Sequence, residues 1–148
     1  MRQFRILIIL ASAYIAAQYV YASPCNKQNF GDNTTLQGIV FVRTYAGPPN
    51  YRNTSRGDTP ERTRVLNLSE TLCVSAHPSN SDNPANLRTK AVQLVFVDSN
   101  ERIADMPLTN FKAAVTGKLF SAQSGHHHMR VLLEVNELII KVPSAEEK

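Results

Sequence analysis

Two short apolar runs flank a block of three consecutive histidines: Val115-Thr116-Gly117-Lys118-Leu119-Phe120 before it and Val131-Leu132-Leu133-Glu134-Val135 after it. The first alternates in period two and the second is β-branched and leucine-rich, so the pair reads as two strands joined by a polar turn that ends in Gly125-His126-His127-His128. This constrains the chain strongly, because a hairpin of this kind needs further strands to cover its apolar faces. The turn is also where reactive side chains are concentrated.

The same pattern recurs upstream. Leu36 to Tyr45 is rich in β-branched and aromatic residues, with Ile39 and Phe41 on one face and Val40 and Val42 on the other. Gly38 interrupts it, as Gly117 interrupts the fourth strand, and a glycine inside a strand marks a bulge or bend. Arg64 to Ala76 alternates as a second strand, with Val65, Asn67 and Ser69 opposite Leu66 and Leu68. Ala91 to Val97 is nearly continuous in apolar residues and reads as a central third strand. Asp98 with Glu101 resembles a capping box, giving a short helix to about Asp105 before Met106-Pro107. Met129 to Ile140 completes five strands, and Pro143 ends it. Glycine bends in the first and fourth strands and a helix between the third and fourth fit a mainly β, five-stranded OB-like Greek-key barrel; a β-sandwich or open α+β sheet is the alternative.

Organisation follows from the ends. Arg2 and Arg5, an apolar run from Ile6 to about Ala17, and Val20-Tyr21-Ala22 form a secretory signal pattern, so residues 1–22 are expected to be cleaved. Residues 23–141 form the domain, with 23–35 an extended lead-in, and 142–148 a disordered tail. Removing Arg2 and Arg5 with the signal leaves 14 basic against 12 acidic side chains, a net +2 over 126 residues. So small a balance argues against nucleic acid as a partner, and no stable membrane insertion is expected after signal removal. The two cysteines, Cys25 and Cys73, read as a disulfide in an exported chain, which closes a loop of about 49 residues and restricts the unfolded chain by roughly 4 kcal/mol.

Two stretches carry chemistry. Segment 46–63 is a Gly/Pro-rich loop, and between Arg43 and Arg64 five arginines (Arg43, Arg52, Arg56, Arg62 and Arg64) face only Asp58 and Glu61. Tyr45 and Tyr51 accompany them. In an OB-like barrel this loop and segment 121–130 flank the ligand face, so His126, His128, Arg130, Tyr51, Arg52 and Arg56 are the candidate ligand-binding residues. If the last strand begins early, His126 and His128 share its outward face, a two-ligand arrangement that suits zinc, with His77, Asp98 or Glu134 as candidate third ligand. The competing readings are a solvated turn or a buried structural histidine. No nucleophile elbow, S-x-x-K, H-E-x-x-H or P-loop is present.

The block from Val115 through Gly125-His126-His127-His128 to Val131-Leu132-Leu133, with Leu66-Asn67-Leu68, Leu72-Cys73-Val74 and Val92-Gln93-Leu94, resembles a family of small exported bacterial proteins catalogued as domain of unknown function 4431. This chain departs from that pattern at Ser124 and at Met129-Arg130. The resemblance implies an exported bacterial protein with a compact β domain, and no activity. The resulting expectation is a periplasmic or secreted, non-enzymatic binding module without cofactor, whose partner is an anionic small molecule, an envelope saccharide or a protein. The alternatives are a zinc-binding protein or hydrolase built on the histidine triplet, and an immunity or inhibitor protein.

Overall fold

The structure, a computed structural model, describes residues 24–77, 86–97 and 109–141. The expected signal 1–22, the helix to Asp105 and the tail 142–148 lie outside the described residues. Six strands follow in order: β1 (Cys25–Asn29), β2 (Asn33–Ala46), β3 (Pro60–Ser75), β4 (Leu87–Val95), β5 (Phe111–Ser121) and β6 (Val131–Ile140). They form one mixed sheet in the order β1-β3-β2-β5-β6-β4, and a further β3–β4 pairing returns it on itself. Without β1, the ring runs β2–β3–β4–β6–β5 and back to β2. All its pairings are antiparallel except β4 with β6. Among the described residues the protein is mainly β with one short 3-10 turn, Thr54–Arg56, and the strands close a hydrogen-bonded ring rather than a clear barrel.

The interior is filled from every ring strand: Leu36 and Val40, Leu66 and Leu68, Val92 and Leu94, Val115 and Leu119, Leu133 and Val135. Each such side chain fully removed from water contributes about 1.5–3 kcal/mol before entropy is counted. Strong curvature lets five strands close round so small a core, and the mid-strand glycines supply it. A Cβ on Gly38 would overlap the Asn67 carbonyl, and one on Gly117 the Glu134 carbonyl. At Gly38 the pairings of β2 to β3 and to β5 overlap, and the β5–β6 register shifts at Thr116/Gly117.

Several expectations are corrected. The lead-in is not simply extended: Cys25–Asn29 is a strand parallel to β3, and Asn33 to Thr35 already belongs to β2. The sheet therefore has six strands. β4 begins at Leu87, inside what reads as a polar connection, because Leu87 and Val74 pair across the strands and both are buried. Val65 and Leu66 are both buried, so β3 does not bury one face only. Outside the core, Val65 pairs with Gln93, and Gln93 with Leu132, making a second buried row on the outer face. β6 begins at Val131, two residues later than expected, because the preceding backbone is taken up by Gln93. Cys25 and Cys73 form the expected disulfide, with Cα atoms 5.8 Å apart.

Candidate functional site

The β2–β3 loop is organised around a carboxylate. Asp58, 4% exposed, accepts hydrogen bonds from the Asn50, Arg52 and Asn53 backbone N–H groups at 2.8–2.9 Å and from Asn50 Nδ2 at 3.2 Å. Donation by Asn53 and Arg52 holds its pKa at about 2, below the ordinary 3.8, with burial opposing part of the shift. The enclosure comes from the loop's own backbone. Gly47 donates to the Thr59 carbonyl and Thr59 to that of Pro48, closing the loop at its base, and the Pro48–Pro49 bond is cis. Tyr51 has φ at 57°, and its N–H is bonded to the Gly47 carbonyl.

The β5–β6 loop is held by a side chain from β4. Gln93, 4% exposed, donates Nε2 to the His126 carbonyl at 2.8 Å. Its Oε1 accepts from His128 N at 2.7 Å and Met129 N at 3.3 Å. His127 turns back: its Nδ1 accepts from Gln123 N at 2.8 Å and its ring meets Phe120 edge-on. Burial first, then the neighbouring His126 and His128, push its pKa below the ordinary 6.5.

The two loops meet at Glu61, the second residue of β3. His126 Nδ1 lies 3.0 Å from both Glu61 carboxylate oxygens, and His126 Nε2 lies 3.1 Å from the Tyr51 hydroxyl. A carboxylate only accepts, so Nδ1 carries the proton; in the neutral ring Nε2 then accepts from the Tyr51 hydroxyl. His128 approaches the same carboxylate from inside, Nε2 to Oε2 3.4 Å, without hydrogen-bonding alignment, and stacks on Tyr45 at 4.4 Å between centroids. Gly125 makes room for this meeting: a Cβ there would stand 2.7 Å from the Tyr51 ring. A cleft of about 340 Å³ opens beside it on β3 and β4, lined by Glu61, Arg62, Arg64, Gln93, Phe96 and His126. A cavity of about 540 Å³ lies beside the Cys25–Cys73 disulfide and holds none of these groups.

Tyr51, His126 and His128 therefore come together, but the two histidines do not share an outward face. The His126 side chain is 59% exposed and that of His128 only 8%, because β6 starts too late to impose strand alternation on them. The His128 side chain is buried, yet its Nε2 bonds no backbone group. Arg52 and Arg56 are exposed on the same loop, and Arg130 lines a separate cleft with Tyr45, Arg88 and Met129. Among the candidate third zinc ligands, His77 lines another cleft with Phe30 and Gln123, Glu134 pairs with Lys118 along β6, and Asp98 is outside the described residues. Among the described residues no group of three or more His, Cys, Asp or Glu is placed to hold a metal ion. Likewise, among the described residues no helix is long and apolar enough to cross a membrane.

Glu61, Gln93 and Asp58 are the site residues that sequence reasoning missed. For Gln93 there was a signal: one amide inside the run Ala-Val-Gln-Leu-Val-Phe-Val has to be hydrogen-bonded once buried.

Fold and site together define a small disulfide-bonded β-ring protein with a polar loop junction on its outer face. Residues 91–139, from β4 to near the end of β6, match the family model described as domain of unknown function (DUF4431), the family that the histidine motif resembles. No curated protein matches the chain.

Proposed function

We propose that the chain is an exported, non-enzymatic binding module of the periplasm or cell exterior, taking its ligand on the outer face of β3 and β4. The observation that carries this reading is the junction itself: the β2–β3 and β5–β6 loops, separate in sequence, meet through Tyr51, Glu61 and His126 at the mouth of a cleft. The Cys25–Cys73 disulfide supports export, since such bonds persist in oxidising compartments.

Among the three expected ligand classes, Glu61 weighs against a small anion. A negative group about 4 Å from that carboxylate meets roughly 4 kcal/mol of repulsion at an effective dielectric near 20, which opposes attraction by Arg62 and Arg64. A saccharide or a polar protein segment, presenting donors as well as acceptors, suits a carboxylate, an imidazole and two guanidinium groups side by side. The test is a titration of isotope-labelled protein with envelope saccharide fractions. Amide shifts are expected at Glu61–Arg64, Gln93–Phe96 and Ser124–His128, and are lost in a triple Arg62→Ala, Arg64→Ala, His126→Ala variant. Shifts confined to other surfaces overturn the reading.

A further inference from the structure

The junction holds a phenol, an imidazole and a carboxylate in series. Tyr51 Oη stands 3.1 Å from His126 Nε2, and His126 Nδ1 stands 3.0 Å from Glu61. These distances and this order are the signature of an activated nucleophile: an attacking oxygen on a base, with the base oriented by a third group. The carboxylate fixes the tautomer that leaves the Nε2 lone pair facing the phenol. His126 is 59% exposed and the cleft beside it is open, so a reagent can reach the pair.

Tyr51 is also held where an aromatic residue seldom sits. Its φ of 57° is left-handed, a conformation that for a bulky side chain persists only when the surroundings over-determine it, and such residues concentrate at functional sites. Here they do. Asp58 grips the backbone of Asn50 and Arg52 on either side, Gly47 accepts the Tyr51 N–H, and Gly125 leaves room for the ring.

We propose that Tyr51 is a nucleophile that takes one acyl group from an activated ester, with His126 as its base and Glu61 as a positioning residue. The Tyr51 oxygen bonds to the ester carbonyl carbon while its proton passes to His126 Nε2. The carbon–oxygen bond to the leaving group then breaks, and the proton leaves on that oxygen. The product is an O-acyl tyrosine, formed once per chain, so the binding module is a single-turnover acceptor as well.

The full chain with its disulfide intact, treated with p-nitrophenyl acetate, tests this by p-nitrophenolate release and peptide mass mapping. One acetyl group is expected on Tyr51, added faster than to Tyr45. Tyr51→Phe, which keeps the ring against Gly125, removes the fast release. His126→Ala slows it by about 100-fold, the lower end of what a positioned base contributes; should that variant unfold, His126→Gln reads the same rate. Glu61→Gln moves the rate–pH profile, in which Glu61, His127 and His128 are the neighbouring titrating groups, an effect that loss of packing alone does not produce. The proposal is overturned if Tyr51 is acetylated no faster than Tyr45. It is equally overturned if Tyr51→Phe releases p-nitrophenolate as fast as the parent, which assigns attack to the imidazole.

Discussion

Replacing Gln93 by leucine isolates what fastens the histidine loop to the sheet. The substitution removes two short hydrogen bonds, to the His126 carbonyl and from His128 N, and one longer one from Met129 N. A net value of about 1 kcal/mol for each short bond and half that for the long one gives a loss of roughly 2.5 kcal/mol. Leucine recovers part of this. Its neighbours across the strands are Val65 and Leu132, both buried, and extra apolar contact with them offsets about 1 kcal/mol. The expected net cost is therefore about 1.5 kcal/mol, measured by urea denaturation. Hydrogen exchange supplies the local reading, since the His128 and Met129 amides lose their acceptor and exchange faster than the β4 ladder. Gln93→Glu is the informative companion: it keeps an acceptor for both amides but sets a buried carboxylate oxygen against the His126 carbonyl in place of the donor. The reasoning fails if Gln93→Leu leaves both the unfolding free energy and the exchange of those two amides unchanged.

Two further outcomes concern pH. Asp58 has a folded pKa of about 2 against 3.8, so its stabilising contribution is present above about pH 4 and is lost as pH falls toward 2; the Asn50, Arg52 and Asn53 amide resonances should titrate across that window, and Asp58→Asn should abolish the titration. His127 has a depressed folded pKa, so its neutral form supports the fold above 6.5 and protonation at lower pH breaks the bond from Gln123 N; an imidazole titration midpoint at or above 6.5 would refute this assignment.

The ring strands were legible because their periodicity is local. Gly38 and Gly117 announce the bends, and the nearly continuous apolar run Ala91 to Val97 announces a central strand. β1 was not legible: Cys-Asn-Lys-Gln-Asn has no apolar alternation, and it becomes a strand only because β3 offers it a ladder and a cysteine. The two loops with unusual chemistry stand out in the sequence and do meet, yet the group that joins them is Glu61, which in sequence is one charge in an arginine-rich stretch. A residue of that kind acquires its role from what folding sets opposite it, so no spacing rule finds it. The contrast between His126 and His128 failed to show for a similar reason. Strand alternation stops at Val131 and does not reach back through them.

β3 changes partner along its length: residues 60–68 pair with β2 and residues 71–75 with β1, while β4 lies along its other side. Because β1 runs parallel to β3 and is covalently joined to it through Cys25–Cys73, tension applied at the N-terminal end does not peel β1 away one ladder bond at a time. The load passes through sulfur into β3, the strand with most neighbours, and reaches the ring as shear along its length. A tether placed ahead of Cys25 would therefore pull on the Cys73 end of β3, opposite the end that carries Glu61.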